Sequence, residues 1–191
     1  MKRQFFTALR FLALMIILTG IIYPVLITVI TTLFFHTEAQ GSLVERDGVI
    51  MGSKLIGQKF DSQEYFWSRP SVNNYNPLPS GASNLGISNP LLINTIAQRE
   101  KDFLTANKMN ENLNIPPEMV TASASGLDPH ISPEAALLQV ARVARARGMD
   151  KAGQDNLVAL INELTEERQY SFFGEPRINV FLLNLKTDSL R

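Results

Sequence analysis

The chain has 191 residues and no cysteine, which excludes disulfide bonds and thiolate metal sites. Its 18 basic residues are matched by 18 acidic ones, and no basic stripe with interleaved aromatics is present. Such a composition disfavours nucleic-acid binding, which needs a surplus of positive charge to neutralise phosphates. The phosphate-cradling loop G-x-x-x-x-G-K-[ST] is also missing, so the chain cannot hydrolyse ATP by that route.

Charge is absent from residues 11–35, a run of 25 residues rich in Leu, Ile and Phe. As a helix this run is about 37 Å long, enough to cross a hydrocarbon core of about 30 Å with some tilt. A secretory signal peptide is the competing interpretation, but its apolar region is shorter and ends at a small-residue cleavage site. Here the run continues through Leu33, Phe34 and Phe35. The sequence therefore predicts a single transmembrane helix over residues 11–35.

The charges on either side of this run predict its orientation. Lys2, Arg3 and Arg10 precede it, whereas all 18 acidic residues follow it. The positive-inside rule then places residues 1–10 in the cytoplasm and residues 36–191 outside it, as one extracytoplasmic domain. That domain has 15 basic against 18 acidic residues, a net charge of −3.

The middle of the predicted span is less aliphatic than its ends. Thr19, Gly20, Tyr23 and Pro24 interrupt it, and the proline is expected to kink the helix. Membrane helices tolerate such residues where neighbouring groups satisfy the backbone. Small and hydroxylated residues also allow helices to approach closely, so these four are interpreted as a face for packing on other membrane helices.

Strands are predicted in three places in the outer domain. Residues 42–46 and 49–54 flank Asp47-Gly48, a dipeptide that favours the type I′ turn of a β-hairpin. Residues 65–68 form a further candidate strand after the hairpin. Residues 178–185 are mostly apolar and predict a final strand buried on at least one face.

Three helices are predicted from about residue 90 to 107, from 133 to 147 and from 150 to about 166. Asn89-Pro90 and Ser132-Pro133 each pair an N-cap residue with a proline at the first helical position, and Asp150 is the third cap. The second helix is expected to turn one apolar face inward, consisting of Leu137, Val140, Ala141 and Ala144. The fold class is α/β or α+β.

A long loop separates the first strands from the helices. Pro, Gly, Ser and Asn make up 15 of the 22 residues at positions 69–90, which disfavours regular structure. Apolar residues such as Tyr75 and Leu85 distinguish the loop from a solvated linker, so it is interpreted as an ordered interaction surface. The residues assigned to that surface are Arg69, Tyr75, Asn76, Ser80, Gly81 and Asn84.

The segment at residues 121–130 contains residue types that could support catalytic or metal-binding chemistry. Ser125, Asp128 and His130 suggest a nucleophile with its base, but a hydrolase elbow needs glycine on both sides of the serine and only Gly126 is present. Asp128, His130 and Glu134 likewise offer metal ligands, but three mixed ligands in a turn arise easily by chance. No catalytic residue and no metal site is predicted. Ser125, Gly126, Asp128 and His130 are assigned to the interaction surface instead.

The same segment closely resembles the C subunit of the Kdp potassium-transporting ATPase. The resemblance rests on M-V-T-A-S-A-S-G-L-D-P-H-I-S-P-E at residues 119–134, Gln139, and R-V-A-R-A-R-G at residues 142–148. It extends over nearly the whole chain, through Thr19-Gly20, Tyr23-Pro24, L-I-G-Q at 55–58, R-P-S at 69–71, Y-N-P at 75–77, S-N-P at 88–90 and G-E-P-R at 174–177.

This resemblance implies a non-catalytic accessory subunit of a high-affinity potassium-uptake pump in the bacterial inner membrane. The implied partners are a P-type ATPase subunit, a potassium-translocating channel-like subunit and a small membrane peptide. The resemblance also implies a catalytic chaperone that raises the ATP affinity of the ATPase subunit, with Gln139 associated with ATP. No cofactor is expected to bind this chain stably. The predicted topology conflicts with this role of Gln139, because it places Gln139 in the extracytoplasmic domain, whereas ATP is in the cytoplasm.

Two alternatives from other classes remain at this point. One is a membrane-anchored extracytoplasmic binding module that holds a small ligand at the loop of residues 69–90. The other is an anchored hydrolase that uses Ser125 and His130.

Overall fold

A computed structural model describes residues 2–110 and 112–190. The chain divides into two compact units, Met1–Ser53 and Lys54–Arg191, here called the first and second units.

The first unit is dominated by a long helix. It consists of α1 (Lys2–Ile17), a π-helical turn (Leu18–Ile22) and α2 (Tyr23–Phe34). The 33 residues Lys2–Phe34 are long and apolar enough to cross a membrane, and none of the apolar window is buried in the structure. The helix thus begins well before the predicted span.

The π-helical turn ends two residues before Pro24, where the sequence predicts an interruption. The N–H of Tyr23 donates to the carbonyl of Leu18, five residues back instead of four. Pro24 has no N–H, so it cannot continue the regular ladder of hydrogen bonds. A π-helical turn is a common response to a local defect of this kind.

A short helix α3 (His36–Ala39) and a hairpin complete the first unit. Strand β1 (Leu43–Arg46) pairs antiparallel with β2 (Val49–Ser53). Asp47 and Gly48 both have positive φ, +53° and +76°, as a type I′ turn requires. The predicted hairpin is confirmed, although it belongs to the same unit as the long helix and not to the unit that contains the rest of the predicted domain.

The second unit is α+β, and the predicted combination of one long apolar helix with such a unit is confirmed. Its elements are α4 (Pro90–Asn107), a 3₁₀ turn (Pro117–Met119), β3 (His130–Ile131), α5 (Pro133–Ala146), α6 (Lys151–Leu164), β4 (Ile178–Asn179) and α7 (Val180–Asp188). Strands β3 and β4 pair antiparallel over two residues each. The predicted N-caps are present: Asn89, Ser132 and Asp150 each accept a hydrogen bond from the first turn of their helix.

The core of the second unit lies between α5, α6 and α7, with Phe66 and the C-terminal end of α4 packed against them. The predicted inner face of α5 is partly wrong. Leu137 is 41% exposed and Ala141 is also exposed, whereas Gln139, Arg142 and Val143 are buried. The apolar pattern alone does not locate the inner face of α5, because two polar side chains, Gln139 and Arg142, occupy it.

The predicted strand at residues 65–68 is absent, and the predicted strand at residues 178–185 is confirmed only at Ile178–Asn179, which form β4. Residues 65–68 have no regular structure, and residues 180–188 form α7. In α7 the side chain of Asn179 accepts a hydrogen bond from the N–H of Leu182, so this asparagine is the N-cap of a helix. The apolar run was compatible with either element, and burial against α6 and β4 accompanies the helical form.

Candidate functional site

The structure brings together the two sequence segments assigned to the interaction surface. The N–H of Ser123 donates to Pro70 O at 3.2 Å, and the N–H of Gly81 donates to Ser125 O at 3.1 Å. Arg69 donates to the carboxylate of Asp128 at 2.8 Å. Residues 69–90 and 121–130 therefore form one continuous surface, here called the loop surface.

Hydrogen bonds within the loop keep it ordered. The side chain of Asn73 donates to Asn76 O at 2.9 Å and Pro79 O at 2.7 Å, and its oxygen lies 2.6 Å from the Ser71 hydroxyl. The hydroxyl of Tyr75 donates to Arg69 O at 2.5 Å. Burial raises the pKa of Tyr75 to about 12, so the phenol remains protonated and continues to donate at neutral pH.

At Gly126 the backbone of the second segment lies close to side chains of the first. Its φ is +72°, a conformation that only glycine adopts at low cost. A Cβ atom there would overlap the side-chain oxygen of Asn73 and lie 3.1 Å from the Ser71 hydroxyl. A larger residue would thus strain the backbone and displace the loop.

The structure pairs Asp128 with His130 but not with Ser125. Burial alone would raise the pKa of Asp128, but hydrogen bonds from His130 and Arg69 outweigh it and lower the pKa to about 2. The hydroxyl of Ser125 instead accepts the N–H of Leu127 at 3.1 Å. Within residues 2–110 and 112–190, no hydrogen bond joins Ser125 to His130. A carboxylate with so low a pKa is a poor proton acceptor at neutral pH.

The remaining residues of the predicted surface are turn residues. Asn76 orients the turn by accepting the N–H of Leu78 on its side chain, and Asn84 has a positive φ of +53°. Ser80 is exposed, and Gly81 is half-buried. In the part of the chain that the structure describes, no three His, Asp or Glu side chains gather in an arrangement that would hold a metal ion.

Gln139 is fully buried, and both ends of its amide are engaged. Its oxygen accepts the N–H of Trp67 at 2.8 Å and a guanidinium N–H of Arg142 at 2.7 Å. Its amide nitrogen donates to Trp67 O at 3.3 Å and Ala135 O at 3.2 Å. Gln139 therefore forms hydrogen bonds with both the N–H and the C=O of residue 67, as a neighbouring β-strand would.

Asn184 does the same for the preceding residue. Its oxygen accepts the N–H of Phe66 at 2.8 Å, and its nitrogen donates to Phe66 O at 2.9 Å. Two buried amide side chains thus replace the ladder that the predicted strand at residues 65–68 would have needed. Backbone polar groups buried without partners are costly, which explains why polar residues occur in this core.

Two arginines donate hydrogen bonds to the backbone carbonyls of residues 63–65. Arg142 is 1% exposed and donates to Gln63 O at 2.8 Å, Tyr65 O at 3.0 Å and the side chain of Asn107 at 3.1 Å. Its guanidinium also lies 4.2 Å from the centre of the Trp67 ring. Burial, with a smaller effect from Arg145, lowers the pKa of Arg142 to about 10. The guanidinium still carries its charge at neutral pH.

Arg147 completes the arrangement from the end of α5. It donates to Glu64 O at 2.7 Å and forms an ion pair with Asp188 at 2.8 Å. We call Gln139, Arg142, Arg147 and Asn184, which hold the backbone of residues 63–67, the polar clamp. Of these four residues only Gln139 was predicted as a site residue, through the family resemblance. The signal for Arg142 and Asn184 was a polar residue inside the apolar run of α5 or α7.

The four residues predicted to pack in the membrane all lie on the long helix and are exposed. The Thr19 hydroxyl donates to Met15 O at 2.7 Å, so its hydrogen bond is made within the helix. Gly20 lies in the π-helical turn, with open space where a Cβ would stand. Tyr23 and Pro24 follow directly as the start of α2.

Among the described residues, one exposed apolar helix is joined to a compact α+β unit whose buried polar side chains bind its own backbone. That combination is typical of a membrane-anchored protein with a folded domain.

Comparison with known proteins is consistent with this class and narrows it. A family model described as "KdpC: K+-transporting ATPase, c chain" matches residues 5–189. The chain is 46% identical over 194 residues to the potassium-transporting ATPase KdpC subunit of Methylococcus capsulatus, covering 100% of both chains. It is 48% identical over 187 residues to that of Geobacter sulfurreducens, covering 96% of each. The chain belongs to the KdpC family of potassium-transporting ATPase subunits.

Proposed function

We propose that the chain is a non-catalytic, extracytoplasmic accessory subunit of an ATP-driven potassium-uptake pump in the bacterial inner membrane. Its partners are the P-type ATPase subunit, the potassium-translocating channel-like subunit and the small membrane peptide of that pump. The family match over nearly the whole chain is the observation that carries this proposal. The alternative of a binding module that acts alone gains no support from any relative named above.

The proposed role of the second unit is structural. Its buried polar groups hold residues 63–67, and Asp128 is engaged by Arg69 and His130. Arg69, Asp128 and His130 thus hold the loop surface together, while the polar clamp fixes the segment directly before it. In this proposal the loop surface is available to a partner protein. ATP is bound by the ATPase subunit in this proposal, and the chain binds no cofactor of its own.

Any effect of this subunit on ATP affinity then acts through assembly. Gln139 is 0% exposed, and its oxygen and nitrogen both bind Trp67. A nucleotide would have to displace those bonds and leave the backbone of residue 67 unpaired in the core, which is costly. We therefore propose that Gln139 supports folding, and that a catalytic-chaperone effect needs no contact between Gln139 and ATP.

The proposed orientation follows from the charges next to the long helix. Because Lys2, Arg3 and Arg10 precede the apolar run, the N-terminus is cytoplasmic and the second unit is outside. The cysteine-free sequence makes this simple to test. We expect single cysteines at the exposed residues Ser62 and Asn156 to react with an impermeant thiol reagent on intact spheroplasts, and a cysteine at Gln4 to react only after lysis. The opposite pattern would refute the orientation.

The helix residues Thr19, Gly20, Tyr23 and Pro24 form the proposed contact with partner helices. Gly20 has no side chain, and open space surrounds it in the isolated chain, so a partner helix can approach its backbone closely. We expect Gly20→Leu to reduce recovery of partner subunits with the tagged chain about tenfold, the scale of roughly 1.4 kcal/mol of lost packing. Val25→Leu, at another exposed position of the same helix, is the matched control. Equal recovery of the two variants would show that Gly20 is not at a helix contact.

A further inference from the structure

A short hairpin-like arm leaves the second unit between α6 and β4. Its two sides are joined by reciprocal backbone hydrogen bonds between Glu166 and Arg177, at 2.8 and 3.0 Å, and between Gln169 and Phe173, both at 2.9 Å. Ion pairs reinforce it: Glu166 with Arg177 at 2.9 Å and Arg168 with Glu175 at 2.5 Å. We call residues 166–177 the arm.

The tip of the arm exposes three aromatic rings within four residues. Tyr170 is 83% exposed, Phe172 67% and Phe173 58%. The rings of Phe172 and Phe173 lie against each other, with centroids 4.2 Å apart. In contrast, Phe66, Phe103 and Phe181 are almost completely buried in the same unit. Tyr170 and Ser171 also have positive φ, so the turn itself is held in a conformation that non-glycine residues disfavour.

These features are typical of a preformed binding site for another molecule. Aromatic side chains supply large contact areas at low entropic cost and dominate the centres of protein interfaces, where a polar rim surrounds them. The arm has that arrangement, with aromatic rings at its tip and charged residues behind them. We call these charged residues, Glu166, Glu167, Arg168, Glu175 and Arg177, the collar. The backbone bonds and ion pairs hold the rings in place before any partner binds, which lowers the cost of association.

The charges of the collar favour a protein partner over a lipid surface. It contains three glutamates, Glu166, Glu167 and Glu175, against two arginines, and both arginines are paired with glutamates. Anionic lipid surfaces attract clusters of basic residues, and the arm has a net negative charge instead. A protein socket with an apolar floor and a basic rim fits both the tip and the collar.

We propose that the arm inserts Phe172 and Phe173 into an apolar socket, bordered by basic side chains, on another subunit of the potassium pump. This inference rests on the proposed function, since it needs the pump to supply the partner. The arm contact is separate from the helix contact at Gly20.

Photo-crosslinking in the whole complex tests the inference. A benzophenone amino acid replaces Phe172 in the full-length chain, which is produced with the pump subunits and irradiated in membranes. The same probe at Leu137, an exposed apolar residue on α5, is the control. The inference predicts a crosslink from position 172 to another pump subunit at a yield about tenfold above that from position 137, because contact brings the probe within bonding range.

The outcomes separate this inference from the proposed function. Crosslinks from position 172 only to lipid, only to a second copy of the chain or to nothing would overturn the inference, even if pump subunits co-purify with the chain. Failure of pump subunits to co-purify with the unsubstituted chain would instead refute the proposed function.

A second experiment uses Phe172→Ser together with Phe173→Ser. We expect recovery of pump subunits to fall about tenfold, with the unfolding midpoint of the second unit unchanged, because both rings are largely exposed and lie outside the core. Leu137→Ser is the control for loss of an exposed apolar side chain. Unchanged recovery by a folded double variant would overturn the inference, and if that variant fails to fold, the crosslink alone decides.

Discussion

Replacement of Arg142 by alanine is expected to lower the free energy of unfolding of the second unit by about 3–5 kcal/mol, the scale for breaking a buried charged network. The guanidinium donates to Gln63 O, Tyr65 O, Gln139 and Asn107, and its removal leaves the buried side chains of Gln139 and Asn107 and the two carbonyls without that donor. A cavity beside Trp67 adds to the cost.

The single tryptophan of the chain gives the measurement. Trp67 lies in the clamped segment, so its fluorescence reports urea unfolding of the detergent-solubilised chain. Arg145→Ala is the matched control, since Arg145 is exposed on the same helix and makes one long hydrogen bond of 3.4 Å. Arg142→Lys should also destabilise, because lysine retains the charge but lacks the fork that reaches several acceptors. Equal midpoints for Arg142→Ala and Arg145→Ala would contradict the polar clamp.

Replacement of Gln139 by leucine is expected to destabilise the second unit by about 2–4 kcal/mol, since several buried polar groups lose a partner at once. Leucine fills a similar volume, so the effect isolates the hydrogen bonds to Trp67 and Arg142. The N–H of Trp67 and one guanidinium N–H are left without their acceptor. The control is Gln154→Leu, because Gln154 is only half-buried on α6.

The same variant also tests the nucleotide role that the family resemblance implies. We expect the ATP concentration for half-maximal activity, measured per assembled pump, to be unchanged within about twofold, although fewer pumps assemble. Normal stability of Gln139→Leu with an ATP requirement raised about tenfold or more, the loss expected for removal of a hydrogen bond to a charged ligand, would favour direct nucleotide binding instead.

Features set by neighbouring residues were predictable from the sequence. The caps at Asn89, Ser132 and Asp150 and the turn at Asp47-Gly48 were predicted and are present. Each depends on one side chain and the few backbone groups beside it. The apolar helix was predictable for a similar reason, because an uninterrupted charge-free run has few other interpretations.

Features set by distant residues were not predictable in this way. Residues 65–68 have strand-like composition, but the groups that bind their backbone lie about 70 to 120 positions later, on α5 and α7. Apolar periodicity assumes that polar residues face water, so it wrongly placed Leu137 and Ala141 on the inner face and did not indicate that Arg142 is buried. The apolar run after Asn179 became a helix because tertiary packing outweighed β-propensity.

The loop surface is an intermediate case. Composition predicted an interaction surface in two separate segments. In the structure these segments are joined by hydrogen bonds from Arg69 to Asp128 and from Gly81 to Ser125. Composition identified ordered turns, whereas the pairing between segments needed three-dimensional information. The close approach at Gly126 connects the two.

Potassium-dependent ATP hydrolysis by complexes purified through a tag on this chain tests the central claim most directly. The account predicts that the tagged chain brings the ATPase and potassium-translocating subunits with it, and that the complex hydrolyses ATP when potassium is added. The chain alone should hydrolyse none, and Ser125→Ala should leave turnover per complex within about twofold. Recovery of the chain without pump subunits, or a loss of about a thousandfold in Ser125→Ala turnover as expected for a missing nucleophile, would contradict it.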